Sequence, residues 1–419
     1  MIGKLKIIGI GNDGENWIFP HYRKWIDEAD ILVGGERQLS YFPHFQKEKW
    51  VLKGDLPFIL HHLKEEAINK KVVVLASGDP LFYGIVRLIL DIVGSENLLI
   101  YPHLSSLQLA FARLGDTWQD TYIESLHGRS LTGLAQRIDG KAKIALLTDA
   151  VHSPTAIAKY LLNYEFNEYE MFIGEYLGGR NERVYLLSLE EAAVQTFAPL
   201  NIVILRKQKE IPAVPSWNLG IEDEEFYQKK PKKGLITKKE VRVLSLVEMK
   251  LRSGDILWDI GAGSGSVSIE ASKYQPNATV FAIEKDIENI DFIKKNTKKF
   301  RSDFTIIHGE APDGLNNFPD PDVIFVGGSN GRLEEILQLG CHRLKQNGRV
   351  IVNAITMETL METLHFFENR GCSPKITLVQ IARSKPIASK TGFESLNPIY
   401  IVTATNPKGK RKEEVDGRA

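Results

Sequence analysis

Short apolar runs alternate with helix-like patterns over the first half of the chain. The runs are rich in aliphatic and β-branched residues and end at glycine or polar residues, which is typical of β-strands. Two of them precede apolar residues at helical spacing, and strands that alternate with helices predict an α/β fold. The runs are KLKIIGI, KVVVLAS, NLLIY, KIALLTD, MFIGEY and LNIVIL, and the helical positions are Leu81, Ile85, Leu88, Ile89, Ile157, Tyr160 and Leu161.

The pattern is interrupted between residues 206 and 236, where three prolines and many charges predict a linker or docking segment. A second α/β series then runs over 237–405, and a charged tail at 406–419 is predicted to be disordered. A long polar segment without helical period joins its last two runs, so they are expected to pair antiparallel at a sheet edge. The seven runs are DILWDI, TVFAIE, FTIIHG, DVIFVG, RVIVNAI, KITLVQIA and PIYIVTA.

Composition agrees with two globular domains, the first predicted over residues 1–205. The 419 residues are 43% apolar and 25% charged, and no apolar stretch is long enough to predict a membrane span. Only two cysteines occur, which favours a reducing cytoplasm. The 53 basic residues equal the 53 acidic ones, which weighs against a nucleic-acid partner that would require excess positive charge.

The segment ILWDIGAGSGSVSIEA in the second half predicts a ligand site. Its glycines follow a strand and precede a helix, so a ligand can approach the backbone and the free N–H groups of the helix. The next β-unit ends at Glu284, an acid placed to accept both hydroxyls of a ribose, and a third strand ends at Glu310-Ala311-Pro312. These positions together favour an adenosine ligand.

The second half resembles class I S-adenosylmethionine methyltransferases with a Rossmann-like, seven-stranded fold. It is most similar to the decarboxylating carbon-15 methyltransferases of cobalamin biosynthesis, over about 216–405. The segments that carry the resemblance are GIEDEEF, LITKKEVR, WDIGAGSGSVSIEA, GEAPDGL, IFVGGSNGRLEEIL and VNAITMETL. The resemblance implies that the cofactor is bound by Thr237, Gly261, Ala262, Gly263, Ser264, Gly265, Glu284 and Ala311, with Glu310 beside them.

Three segments of the first half predict a second, different site. GIGNDG follows a strand, and ASGDPLFYG joins a strand end to a turn, with Pro80 predicted near the first position of a helix. YPHLSSLQLAFARLG then supplies a strand end, a serine pair and a helix, and LLTDAVHSPTAIAKYL repeats that plan. Asp79 alone is equally well explained as a helix cap.

Together with ADILVGGERQL, these segments resemble the tetrapyrrole methylase family, over about 3–205. The family fold has two α/β lobes with S-adenosylmethionine in the cleft between them, and carbon-5 methyltransferases are its most similar members. One departure is His103, where many relatives have glycine. The resemblance implies that Gly9, Gly11, Gly78, Asp79, Ser105, Ser106 and Thr148 bind the cofactor.

The two resemblances together imply one S-adenosylmethionine per domain and a corrin-precursor tetrapyrrole as the substrate. Methyl transfer to an electron-rich carbon requires alignment rather than a protein nucleophile, so no catalytic residue is assigned. The substrate's carboxylates need cations, and candidates are Arg37, Lys232, Lys233 and Arg332. No CxxC, HxxxH or HExxH spacing occurs, which predicts no protein metal site. Relatives of both halves imply a homo-oligomer.

Other functions fit the sequence less well. GGSNG matches the GxSxG elbow of hydrolases, but the two histidines after Ser329, His342 and His365, lie in helical patterns. An RNA methyltransferase is the main alternative, although amino-methylating members carry an N/D-PP-Y/F motif where this chain has VGGSNG. A non-catalytic corrinoid-binding protein also remains open.

Overall fold

The computed structural model describes residues 5–208, 217–229 and 236–405. These residues fall into two compact units, drawn from 1–131, 141–162 and 167–211 for unit 1 and from 132–140, 163–166 and 212–419 for unit 2. Part of the predicted linker lies outside the described residues. Lys232, Lys233 and the whole predicted tail also lie outside them. None of the helices in the described ranges has the length and hydropathy needed to cross a bilayer.

Unit 1 contains two five-stranded sheets. The first has the order β3-β2-β4-β1-β5, and all its neighbouring strands are parallel. The second has the order β6-β7-β10-β8-β9 and is antiparallel except for the β6–β7 pair. The strands are β1 (Leu5–Ile10), β2 (Ile31–Gly34), β3 (Glu48–Val51), β4 (Val72–Ser77), β5 (Leu98–Tyr101), β6 (Tyr122–Ser125), β7 (Lys143–Leu147), β8 (Tyr169–Glu175), β9 (Arg183–Ser188) and β10 (Asn201–Lys207).

Unit 2 is built on a seven-stranded sheet with the order β13-β12-β11-β14-β15-β19-β16. Both pairs that involve β19 are antiparallel, and the other pairs are parallel, so the expected antiparallel edge is confirmed. The strands are β11 (Ile256–Ile260), β12 (Thr279–Glu284), β13 (Thr305–His308), β14 (Val323–Val326), β15 (Arg349–Ala354), β16 (Lys375–Val379) and β19 (Ile399–Thr405), with a separate hairpin of β17 (Ala382–Ile387) and β18 (Lys390–Ser395).

Helices follow most of the strands, as the α/β prediction requires. In chain order they are α1 (Pro20–Glu28), α2 (Glu36–Ser40), α3 (Leu56–Glu66), α4 (Val86–Val93), α5 (Ser106–Leu114), α6 (Leu134–Ile138), α7 (Pro154–Asn163), α8 (Leu189–Ala193), α9 (Lys239–Met249), α10 (Ser266–Tyr274), α11 (Ile287–Lys299), α12 (Leu333–Arg343) and α13 (Met357–Glu368).

The prediction that a helix begins near Pro80 is wrong. The helix α4 begins at Val86, and residues 80–85 form turns and bends. The Asp79 carboxylate accepts a hydrogen bond from the Leu81 amide at 2.9 Å, a local turn that leaves the following residues outside the helix. A longer stretch of irregular backbone is therefore available at the end of β4.

The strands that carry the sites are buried on both faces. Leu257 and Trp258, neighbours in β11, are both fully buried and belong to different hydrophobic clusters. Because successive strand side chains point to opposite faces, the sheet must be covered on both sides. Each cluster collects alternate residues of the central strands, which fixes the strand ends where the predicted site residues lie.

Candidate functional site

Unit 1 has a cavity of about 460 Å³, here cavity 1, at the carboxyl ends of β1 and β4. The N-terminus of α5 and the ends of β7 and β8 complete its lining. Seven residues predicted from the sequence line it: Gly11, Arg37, Gly78, Asp79, Ser105, Ser106 and Thr148.

Gly9 has a different place, because it lies against backbone rather than in the lining of cavity 1. A Cβ built on Gly9 would be 2.0 Å from the Gly78 carbonyl oxygen and 2.7 Å from the His103 amide nitrogen. His103 N–H donates to that same carbonyl at 3.2 Å. Gly9 therefore allows the loops that follow β4 and β5 to approach β1, and Gly78 takes a positive φ of 57° there.

The serine pair begins α5 at the edge of cavity 1. Ser105 is the N-cap, and its hydroxyl accepts from the Gln108 amide at 3.3 Å while the Ser105 amide donates to the Gln108 side chain at 2.9 Å. This reciprocal capping holds the helix end, where the first N–H groups have no acceptor within the helix. Ser106 follows as the first helical residue and is exposed.

Thr148 follows β7 and also lines cavity 1. Its hydroxyl donates towards the Asn201 side-chain oxygen at 2.7 Å or the Asn201 carbonyl at 2.9 Å. Asn201 also lines the cavity but was not predicted. It stands at the start of β10, more than 50 residues from Thr148 in the chain, and no local pattern marks it.

In unit 2 the glycine loop connects β11 to α10 as predicted. Gly261, Gly263 and Gly265 all have positive φ, at 73°, 57° and 77°. A Cβ on Gly261 would lie 2.6 Å from the Gly328 carbonyl oxygen, so this position is closed to other residues by neighbouring backbone as well as by its φ. Gly265 precedes α10, and a Cβ built on it would lie 3.1 Å from the side chain of Ile293 in α11.

Glu284 is tied to the same loop. One of its carboxylate oxygens accepts from the Gly263 amide at 2.8 Å, and the other accepts from the Asp286 amide at 2.9 Å. The residue is 7% exposed. Two backbone donors therefore fix the orientation of the carboxylate, and lone pairs remain on both oxygens for a ligand.

A small cavity of about 20 Å³, here the loop cavity, lies under the glycine loop. It has room for about one water molecule, so it can take only a small polar group of a larger ligand. Its lining includes four of the predicted cofactor residues, and Gly263, Gly265, Glu284, Glu310 and Ala311 are outside it. The four predicted lining residues are Thr237, Gly261, Ala262 and Ser264.

Two side chains that line the loop cavity have buried oxygens without a hydrogen-bond partner. They are Oδ1 of Asp259 and Oγ of Ser264. Burial raises the pKa of Asp259 to about 6, against a smaller opposing effect of the Ser268 hydroxyl, which donates to Oδ2 at 2.5 Å. Asp259 was not assigned to the site from the sequence, although the signal was there: the apolar run of β11 is interrupted by an acid directly before the glycines.

The remaining predicted residues of unit 2 have other contacts. Glu310 is exposed and accepts from the Asn330 side chain at 2.6 Å, while Ala311 is buried in a hydrophobic cluster. Arg332 forms ion pairs with Asp313 and Glu335, both at 2.7 Å. A substrate carboxylate at Arg332 would have to compete with those two acids.

Both halves match known families. Residues 4–193 match the Tetrapyrrole (Corrin/Porphyrin) Methylases, and residues 228–406 match a precorrin methyltransferase domain. A Sinorhizobium protein, precorrin-6Y C(5,15)-methyltransferase [decarboxylating], is 31% identical over 403 residues, which cover 94% of each chain. The chain belongs to this family.

Separate proteins of similar name match about half of the chain each. A probable cobalt-precorrin-6B C(15)-methyltransferase (decarboxylating) from Sulfurisphaera tokodaii is 39% identical over 191 residues, 45% of this chain and 98% of the relative. A cobalt-precorrin-7 C(5)-methyltransferase from Salmonella typhimurium is 34% identical over 205 residues, 49% of this chain and 100% of the relative. Each of these two relatives is covered over nearly its whole length by about half of this chain.

The family implies S-adenosylmethionine as the methyl donor, and the residues of both units are compatible with it. In unit 2 the oriented Glu284 carboxylate suits a diol, and the unpartnered oxygens of Asp259 and Ser264 suit a polar or cationic group. In unit 1 the polar ends of α5 and of the strands surround a cavity within the range of roughly 300–1,000 Å³ usual for small-molecule sites. In the described part of the chain, no group of three or more His, Cys, Asp or Glu side chains is arranged to hold a metal ion.

Proposed function

We propose that this chain methylates a precorrin at carbon 5 in unit 1 and at carbon 15 in unit 2, where it also removes carbon dioxide from a ring acetate. The observation that carries the proposal is the alignment with the Sinorhizobium relative, which covers 94% of this chain and 94% of the relative. The name of that relative includes methylation at carbon 5, methylation at carbon 15 and decarboxylation. Two different folds, each with polar groups and glycines at its strand ends, support this division of labour. Each relative of half length is named for reaction at one carbon only.

Each unit is proposed to bind its own S-adenosylmethionine, which when bound supplies an electrophilic methyl group. In unit 2, Glu284, the glycine loop, Thr237 and Ala311 would hold it, with Glu310 beside them. In unit 1, Gly11, Gly78, Asp79, Ser105, Ser106 and Thr148 would do so, with Gly9 shaping the loop that they share. The main contribution of these residues is to hold donor and acceptor carbon in line, which can account for a large part of the rate.

The acceptor is proposed to be a reduced tetrapyrrole whose own conjugated system takes up the electrons released by decarboxylation. A protein nucleophile is therefore not required. Arg37 in unit 1 and Arg332 in unit 2 remain candidates for the substrate's carboxylates, and Lys232 and Lys233 lie outside the described residues. The relatives are named for precorrins and for cobalt-precorrins, so any cobalt would belong to the substrate. We expect the protein to be a homo-oligomer in the cytoplasm and not to have a nucleic acid as a binding partner.

Mass spectrometry of the product tests the proposal directly. The full chain is incubated with precorrin-6Y and S-adenosylmethionine that carries an isotopically labelled methyl group. The expected product has gained two labelled methyl groups and lost one carbon dioxide. A parallel incubation contains RNA in place of the macrocycle. Transfer of label to the RNA but not to the macrocycle would instead support an RNA methyltransferase, and macrocycle binding without transfer would support a binding protein.

A further inference from the structure

A second cavity in unit 1, here cavity 2, adjoins cavity 1 and has a volume of about 550 Å³. The two cavities share three lining residues, Asn12, Arg37 and Leu200. Apart from Arg37, none of the site residues predicted from the sequence lines cavity 2. It is therefore a space next to the proposed cofactor site to which no ligand has yet been assigned.

One wall of cavity 2 is a tight loop that follows β8, here the 176–182 loop. Tyr176 and Gly178 have positive φ values of 48° and 78°. The Asn12 side-chain amide donates to the Leu177 carbonyl at 2.8 Å, and a Cβ on Gly179 would lie 3.1 Å from that of Asn12. The loop is thus packed closely against the segment that follows β1.

Glu182 fixes the other end of the 176–182 loop. One carboxylate oxygen accepts from the Gly178 amide at 2.6 Å, and the other accepts from Nε of Arg113 at 2.5 Å. These bonds hold the turn that presents Arg180 and Asn181 to cavity 2. The position of Arg180 is therefore set by the backbone of the loop, while its own side chain is exposed.

The two arginines that line cavity 2, Arg37 and Arg180, have no ion-pair partner among the described residues. Among the described residues, no carboxylate lies within ion-pair distance of Arg37 or Arg180, whereas Arg113 and Arg206 of the same unit each pair with a glutamate at 2.5 Å. Arg37 donates to the Ser77 hydroxyl at 2.9 Å. Cavity 2 therefore has two cations available to bind an anionic ligand.

The one acid of cavity 2 offsets these cations only in part. It is Asp13, whose Oδ2 is buried without a hydrogen-bond partner. Desolvation by burial raises the pKa of Asp13, against opposing effects of a backbone hydrogen bond and of His103. With two guanidinium groups against this single carboxylate, the cavity favours an anion.

The other lining groups restrict the kind of anion. Asn12, Asn16 and Asn181 carry amide groups, and Tyr41 and Tyr176 contribute ring surface. A guanidinium fork matches a carboxylate with two parallel hydrogen bonds. A ligand that combines several carboxylates with a broad apolar ring would use all of these features.

We propose that cavity 2 binds carboxylate side chains of the tetrapyrrole during carbon-5 methylation, and that Arg180 is a specificity-determining residue for them. The inference rests on the proposed function. It assigns cavity 2 as the part of unit 1 that binds the carboxylate groups at the edge of the macrocycle. Arg37 borders both cavities, so its replacement would disturb the cofactor site as well. Arg180 borders cavity 2 alone and gives the cleaner test.

The experiment compares Arg180→Gln with Arg183→Gln in the full chain. Arg183 is also exposed but lies in β9 and lines neither cavity. Carbon-5 methylation of precorrin-6Y is followed at varied concentrations of macrocycle and of S-adenosylmethionine. Because a charge-assisted hydrogen bond is lost, we expect Arg180→Gln to raise KM for the macrocycle by about ten-fold and to leave kcat and cofactor affinity unchanged. Arg183→Gln should match the wild type.

Two further measurements separate recognition from a merely structural role. Exposed ionic contacts are screened by salt, so the difference between wild type and Arg180→Gln should narrow as ionic strength rises. A macrocycle with esterified side chains should bind to both proteins alike. Arg180→Lys, which keeps the charge but not the fork, should fall between them.

The outcomes distinguish this inference from the proposed function. If the wild type methylates carbon 5 and Arg180→Gln has an unchanged KM for the macrocycle, the assignment of cavity 2 is wrong and the proposed function stands. A parallel fall in cofactor affinity would also overturn it, because it would show a structural effect. If the wild type neither binds nor methylates the macrocycle, the proposed function fails and the inference falls with it.

Discussion

Asp259 is a buried acid whose ionisation opposes folding. Its side chain is 1% exposed, and burial raises its pKa from 3.8 to about 6. Since the folded state then binds the proton more tightly than the unfolded state, stability decreases as the pH rises between these two values and stays low above the upper one. The difference corresponds to about 3 kcal/mol.

Replacement of Asp259 by asparagine should therefore stabilise unit 2 at alkaline pH. Asparagine has nearly the same shape and can still accept from the Ser268 hydroxyl, but it does not ionise. We expect a gain of about 1–3 kcal/mol at about pH 8 that disappears towards about pH 4. Differential scanning calorimetry of the full chain across this range measures it. Asp291→Asn, at an exposed position of α11, should change little at either pH, and an equal gain there would contradict the explanation.

At the scale of elements, the glycine loop between β11 and α10 depends on close contact with the loop that follows β14. Gly261 combines a positive φ of 73° with a Cβ position 2.6 Å from the Gly328 carbonyl oxygen. Backbone cannot move aside as a flexible side chain can. Any larger residue at 261 must displace one of the two loops.

Substitution of Gly261 by alanine should abolish carbon-15 methylation and cofactor binding in unit 2 while carbon-5 methylation continues. Gly254→Ala is a matched control, because Gly254 has a φ of 86° but no atom within 4 Å of its Cβ position. It should carry only the backbone strain, of roughly 1 kcal/mol, and retain both activities. The two methylations are measured separately by product analysis. Equal losses in both variants would mean that strain alone, and not the contact with Gly328, is responsible.

The strands that the sequence did not predict lie at sheet edges or in the separate hairpin, with the exception of β2, whose four residues are all buried between β3 and β4. All seven strands of the unit 2 sheet were predicted from their apolar runs, and these include the two edge strands β13 and β16 as well as the buried central strands. By contrast, β3 and β9 are edge strands with largely exposed residues, and the β17–β18 hairpin is exposed over most of its length. The exposed strands β3, β17 and β18 have no continuous apolar run to mark them, whereas β9 has a short run that did not lead to a prediction.

Some site residues could be predicted from the sequence and others could not, for a similar physical reason. The glycines and the acid at the ends of buried strands could be predicted from local sequence, because the apolar run of each strand predicted the strand and therefore its end. Asn201 and Arg180 could not, since they reach their cavities through the pairing of β10 with β7 and through the turn after β8. Those contacts join segments far apart in the chain, which a local pattern does not record.

At the scale of the whole molecule, the chain combines two unrelated sheet topologies. Unit 1 pairs a parallel sheet with a mostly antiparallel one, and unit 2 has a single seven-stranded sheet. Cavity 1 and the loop cavity have no residue in common. Because each proposed cofactor site is complete within one unit, damage to one should leave the other able to bind.

Calorimetric titration with S-adenosylmethionine provides a count of these sites. The wild type should bind two molecules per chain, and Glu284→Gln and Gly78→Ala should each weaken one site. For Glu284 the loss of a hydrogen bond to a charged group predicts affinity lower by about ten-fold or more. A single site in the wild type would contradict the arrangement.

Loss of carbon dioxide should then depend on unit 2 alone. With precorrin-6Y and labelled donor, Gly78→Ala is expected to yield a product with one labelled methyl group and without the acetate carboxyl, because its Cβ would lie 3.2 Å from the Leu104 carbonyl in cavity 1 and leave unit 2 intact. Gly261→Ala, which is expected to abolish cofactor binding in unit 2, should add one methyl group and retain that carboxyl. Mass spectrometry distinguishes the two products directly. If Gly78→Ala also stopped decarboxylation, unit 2 would require a substrate already methylated by unit 1, and the two sites would act in a fixed order rather than independently.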